Sequence, residues 1–217
     1  MKRAFTMLEL VFVVVVIGIL AAVILPSTKT NPVQDAAIQV LSHIRYTQHL
    51  AMVDDKFDTS DANWYKNRWQ IFFAQPVASD NLWAYSIFSD SSGGSTGNPD
   101  ISELAVNPLD RNKLLTGGYS AVPYATDARV TKEMNLGHKY SITSVDFSAN
   151  CKDNSLRIAF DHMGRPLYDG PHLLDDAYHD GAVSRLVTSD CNITITDGSE
   201  TAVITIKPET GYAYIND

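Results

Sequence analysis

Phe5-Thr6-Met7-Leu8-Glu9-Leu10-Val11-Phe12-Val13-Val14-Val15-Val16-Ile17-Gly18-Ile19-Leu20-Ala21-Ala22-Val23-Ile24-Leu25-Pro26 carries a single charge, the Glu9 carboxylate. The apolar run from Leu10 stops at Pro26. As a helix, Phe5 to Leu25 would be about 31 Å long, close to the ~30 Å hydrocarbon core of a bilayer. Backbone groups in lipid must be satisfied internally, which makes a helix the single-segment solution. Lys2 and Arg3 precede the run, and the positive-inside rule holds such residues in the cytoplasm. The sequence therefore predicts a long N-terminal membrane-spanning helix with the rest of the chain on the far side.

A cleaved secretory signal also has a charged start and an apolar stretch, and Ala21-Ala22 with Ser27 fits its cleavage site. Against it stand Glu9, which interrupts the apolar start, and an amphipathic pattern that resumes past Pro26. A plain membrane anchor explains the length but gives Glu9 no role. An uncompensated acid inside lipid costs about 2.5–3.5 kcal/mol, less if it snorkels from the end of the span.

Beyond Pro26, Val33, Ala36, Ala37, Val40, Leu41 and Ile44 recur at helical spacing. This predicts an amphipathic helix over residues 30–55 that continues the membrane helix and lays its apolar stripe on a globular domain. Asp54 to Asp61 reads as a polar loop. Arg68–Ala74 and Leu82–Phe88 read as strands around an Asp80-Asn81 turn. Ser89–Pro99 reads as a flexible loop, and residues 100–140 show no regular pattern. Ser141–Ser148, Leu156–Phe160, Asn192–Thr196, Ala202–Lys207 and Tyr212–Ile215 are further strands, with Asp197-Gly198 as a hairpin signal. One long helix followed by many short strands predicts an α+β fold: a long N-terminal membrane-spanning helix packed by its C-terminal half on a mainly antiparallel β-sheet domain. The expected division is a leader (1–4), a transmembrane and assembly helix (5–29), an amphipathic helix (30–55) and a β-rich globular domain (56–217).

The net charge is -8, and loss of Lys2 and Arg3 with a leader would take it to -10. Such acidity disfavours nucleic-acid binding by the domain as a whole. Cys151 and Cys191 are the two cysteines. Outside the cytoplasm they can form a disulfide, and the alternative is two buried thiols. No spacing supports a catalytic triad, a zinc site or a phosphate loop, so no catalytic residue, metal or cofactor is expected. His172, Asp175, Asp176 and His179 offer metal-ligating atoms but read better as a solvated loop. Asp54, Asp55, Asp58 and Asp61 lack the spacing and turn glycine of a calcium loop. Trp64, Tyr65, Trp69, Trp83 and Tyr85 fit core and sheet packing better than a stacking surface.

Ala4-Phe5-Thr6-Met7-Leu8-Glu9 and the apolar run resemble the processing signal of type IV pilins and type II secretion pseudopilins. The resemblance implies cleavage between Ala4 and Phe5 by a prepilin peptidase that also methylates the new amino terminus. Most members have Gly where this chain has Ala4. Glu9 matches the family glutamate, thought to pair with the terminal amine of a neighbouring subunit and set register. Gly18 and Pro26 match the positions between which the helix unwinds in related filaments. Ile44–Ala51, Leu156–Pro166 and the Thr210-Gly211 turn are most similar to H-type minor pseudopilins and fimbrial T-type minor pilins. The implied protein is not an enzyme but a filament subunit. Its implied partners are the peptidase, other pilin or pseudopilin subunits, an inner-membrane assembly platform and the lipid bilayer. Its implied place is the inner membrane as a single-pass protein with a periplasmic domain, and later a filament or pseudopilus. A major pilin, or a membrane-anchored periplasmic binding module, is the alternative.

Overall fold

The computed structural model describes residues 6–24, 31–91, 96–119 and 121–216, with only the backbone of 21–24. The expected processing residues Ala4 and Phe5, and the expected hinge residue Pro26, lie outside the described residues.

Helix α1 runs Met7–Ile24 and helix α2 runs Pro32–Val53. They belong to separate compact units, Met1–Asn31 and Pro32–Asp217. This corrects the expected architecture. In place of an α+β domain carried on one long membrane-spanning helix, the chain has a mostly β antiparallel domain and a short N-terminal helix. Among the described residues no helix is long and apolar enough to cross a membrane. The 18 residues of α1 span about 27 Å, short of the ~30 Å hydrocarbon core. The described part of α1 ends at Ile24, and residues 25–30 lie outside the described residues. Pro32 opens α2 at the first helical position, where its missing N–H costs nothing.

Among the described residues the second unit has two four-stranded antiparallel sheets and a small ribbon. Strands β1 (Trp69–Ala74), β2 (Ala84–Ser89), β4 (Leu156–Phe160) and β5 (Pro166–Tyr168) form the first sheet in the order β2-β1-β4-β5. Strands β3 (Ser144–Phe147), β8 (Cys191–Thr196), β9 (Thr201–Ile206) and β10 (Ala213–Ile215) form the second in the order β10-β9-β8-β3. Strands β6 (His179–Asp180) and β7 (Val183–Ser184) make the ribbon. The strict period of two in β8 buries Cys191, Ile193 and Ile195 and leaves Asn192, Thr194 and Thr196 half-exposed. That alternation marks a sheet packed on one face.

Helix α2 supplies the covering layer for both sheets. Val33, Ala36, Ala37, Val40, Ile44 and Ala51 are buried along one stripe. They join one core with Ile71, Phe73, Ile158 and Phe160 of the first sheet and Ile193, Ile195, Ile204 and Ile206 of the second. The small residues Ala36 and Ala37, both fully buried, keep this face of the helix narrow.

Strand β2 is buried at all six positions, so both of its faces are covered. The covering comes from the stretch that shows no regular pattern in sequence. Residues 98–135 lay short bridges along the free edge of β2, pairing Ser86 with Thr116 and Phe88 with Leu104. Ile87 donates to the Leu115 carbonyl and accepts from Ala105, both at 2.9 Å. An edge strand that would otherwise offer bare N–H and C=O groups is thereby closed. Phe88, Leu104, Val122 and Val130 make a small apolar cluster of their own there.

Candidate functional site

Helix α1 begins with a reciprocal cap. The Thr6 amide and hydroxyl each donate to Glu9 Oε2 at 3.3 Å, and the Glu9 amide donates back to Thr6 Oγ1 at 3.3 Å. Thr6-Met7-Leu8-Glu9 is thus a capping box, which satisfies two amides that a helix start leaves without partners. The carboxylate also sits at the positive end of the helix dipole. The Thr-x-x-Glu spacing of this cap is visible in the sequence.

The rest of α1 has no polar face. Leu8 is 83% exposed, Leu10 59% and Val11 54%, and at 3.6 residues per turn these three point in different directions around the helix. A helix that is apolar all round needs an apolar environment on every side. Gly18 lies within this helix, and no atom comes within 4 Å of where a Cβ would stand. The surface at Gly18 therefore has room for a close neighbour.

In the second unit, three stretches distant in sequence meet at the side chain of Gln48. Its Nε2 donates to the Gly164 carbonyl in the β4–β5 turn and to the Thr210 carbonyl in the β9–β10 turn, both at 2.8 Å. One turn earlier on α2, Arg45 donates to the Ala213 carbonyl at 2.7 Å. Asp161 organises the β4–β5 turn from within. Its buried carboxylate accepts from the Met163 amide (3.0 Å), the Arg165 amide (2.8 Å) and Arg165 Nε (2.7 Å). Cys151 and Cys191 form a disulfide across a sequence separation of 40. It ties the turn after β3 to the first residue of β8.

Burial shifts the titration of two groups in the core. His43 shares a 2.7 Å hydrogen bond with the Tyr85 hydroxyl. Burial pushes its pKa down to about 4, with Glu133 pulling weakly the other way. Arg157 lies 4.0 Å over the Phe72 ring and donates to Gln70 Oε1 (3.0 Å) and the Gly97 carbonyl (2.7 Å). Burial lowers its pKa to about 10, against the pull of Asp169. Gly97 belongs to the stretch read as a flexible loop, yet its peptide is buried, and its amide donates to Asp90 at 2.7 Å.

The other candidates do not converge. His179 pairs with Asp176 at 3.0 Å, while Asp175 accepts from the Gly181 amide at 2.8 Å. His172 sits elsewhere, wedged so closely between Gly97 and Gly170 that a Cβ on either would meet its ring. The acidic run resolves into local turns: Asp55 accepts from the Phe57 amide, Asp58 from Ser60 and Asp61 from Asn63. Each is an aspartate closing its own backbone two residues on. Tyr65 and Tyr85 are buried. Trp69 donates to Asp54 and Trp83 to the Thr143 carbonyl, so the five aromatics form no common surface.

No family model, curated protein or solved structure matches this chain.

Proposed function

We propose that this protein is a structural subunit of a type IV filament or type II secretion pseudopilus, of minor pilin or pseudopilin type, assembled through α1. The observation that carries the reading is the apolar helix itself, with exposed side chains on all sides and one carboxylate in its first turn. A filament core made of neighbouring α1 helices offers the covering such a helix needs, and a lipid environment offers it before assembly. The processing motif Ala4-Phe5 with Glu9 supports the same reading, as does a domain tied rigidly to α2 by Gln48 and Arg45.

In this account the chain is held at the inner membrane through α1 before assembly, and a prepilin peptidase removes residues 1–4. An assembly platform then transfers the helix from lipid to the filament. The Glu9 carboxylate accepts the terminal amine of an adjacent subunit and fixes register, a use of ion pairing that suits specificity better than stability. The chain acts by assembling, with no turnover of its own.

The test is fractionation of cell envelopes followed by chemical crosslinking. The account predicts crosslinks through α1 to other subunits with pilin-type N-termini. Recovery of the chain only as an isolated protein with a bound small ligand would overturn it and favour a binding module.

A further inference from the structure

Leu109 is 95% exposed, the largest value for any bulky apolar residue described in the domain. It is not on a loose strand of chain. The Leu109 amide donates to Asn107 Oδ1, Asn107 donates to the Lys113 carbonyl, and Lys113 donates to the Asp110 carbonyl, all at 2.9 Å. Val106 and Leu114 pair at the base, and Asn107 Nδ2 reaches Thr131 Oγ1 at 3.2 Å. The tip is thus preorganised to present a leucine to solvent, which lowers the ordering cost of a contact. Arg111 beside it is exposed, and Asp110 is turned into its own loop, accepting from the Asn112 amide at 3.1 Å.

A surface of matching character lies at the C-terminal end of α2. Met52, Val53, Phe57 and Met163 are all exposed there. A Cβ on Gly164 would stand 3.2 Å from the Met52 sulfur, so Met52 lies over the turn that carries Met163. The Phe57 and Trp64 rings meet in a T-shaped pair, with centroids 5.1 Å apart. Methionine-rich surfaces adapt to the side chain they receive. Around them stand the exposed carboxylates Asp54, Asp55 and Asp58, and the last turn of α2 has no basic residue. The nearby Lys56 is held by Asp54 at 2.5 Å and stacks over Trp69.

We propose that the Asn107–Lys113 tip of one copy seats on the Met52, Val53, Phe57 and Met163 surface of the next copy, with Leu109 as apolar anchor and Arg111 facing Asp55 and Asp58. Charge complementarity selects the occupant: an apolar anchor beside a cation meets an apolar surface rimmed by carboxylates, and both halves belong to this one chain. Because the halves are different surfaces, the contact is heterologous and repeats head to tail. It rests on the filament reading only for its purpose. A repeating contact needs consecutive copies of this chain.

The experiment uses the full chain in native envelopes, carrying Leu109→Cys and Phe57→Cys, with oxidative crosslinking. Cys151 and Cys191 are already paired. The proposal predicts a ladder of dimers, trimers and longer species from the double variant and only background from each single variant. No ladder, or equally efficient crosslinking of Leu109→Cys alone, would overturn it. Arg111→Glu should cut the yield at least about tenfold through like-charge contact, and adding Asp55→Arg with Asp58→Arg should restore it. A misfolded variant would not be rescued this way, and failure of rescue removes the assigned charge pairing. The N-terminus of the same material reports separately on the filament reading: a ladder with an unprocessed chain keeps the contact and loses that reading, while a processed chain without a ladder does the reverse.

Discussion

The side-chain nitrogen of Gln48 lies 2.8 Å from the Gly164 carbonyl oxygen, and it reaches the Thr210 carbonyl at the same distance. One helical side chain therefore joins a turn of each sheet. The two turns also touch each other: a Cβ on Gly211, whose φ is +62°, would stand 2.3 Å from the Gly164 oxygen. Glycine is required at 211 both for its backbone region and for this approach.

Gln48→Ala should lower the stability of the domain by about 2 kcal/mol, one ordinary hydrogen bond for each carbonyl left behind. Urea unfolding with an unchanged slope is the readout. A loss below a few tenths of a kcal/mol would mean that water replaces the amide without cost. Gly211→Ala should cost more, because backbone strain adds to the clash.

Reduction of the Cys151–Cys191 bridge, or its replacement by two alanines, should destabilise the domain by about 4 kcal/mol on the chain-entropy model for a loop of this length. Thermal unfolding with and without reductant measures this. The fold around β8 should persist at low temperature, because Ile193 and Ile195 remain in the common core.

Stability should fall on mild acidification through His43. Its pKa is about 4 in the folded chain against the ordinary histidine value of 6.5, so the unfolded chain takes up the proton first. The contribution is complete above pH 6.5, declines as pH drops toward 4 and levels off below. Its full size is at most about 3 kcal/mol. An NMR titration should place the His43 midpoint near 4, and a midpoint near 6.5 would show an imidazole open to solvent. Replacing Tyr85 with Phe, which removes the 2.7 Å partner, is the companion variant.

Glu9 has two separable roles, and one substitution divides them. Glutamine can serve at the third position of a capping box, so Glu9→Gln keeps the start of α1 while removing the charge. The account expects Glu9→Gln and Glu9→Ala to be equally poor in filament incorporation, with both still associated with the membrane. Normal incorporation of Glu9→Gln would reduce Glu9 to a helix cap.

Much of the β domain was legible because its signals are local. The i, i+3, i+4 stripe of Val33, Ala36, Ala37, Val40 and Ile44 is the buried face of α2. Leu156–Phe160 is β4, and Asp197-Gly198 turns β8 into β9, with Gly198 at φ +101°. The Asp80-Asn81 turn has both residues at positive φ. What escaped was non-local. The division into two sheets depends on which distant strands pair, as in Ile71 with Ile158, and no single strand encodes that. The edge cover at residues 98–135 is built from isolated bridges to β2 and leaves no alternation to read. Apolar character persists in the sequence up to Pro26, whereas the described α1 covers Met7–Ile24 and α2 starts at Pro32. In the candidate site, Glu9 was conspicuous as a lone charge, whereas the convergence on Gln48 had no sequence signal beyond its place among the half-buried positions of α2.

The central claim is assembly through a processed N-terminal helix, and the most direct measurement is the intact mass and N-terminal peptide of the native protein from cell envelopes. The account predicts a chain that begins at N-methylated Phe5. A chain that begins at Met1, or one that begins near Ser27, would contradict it.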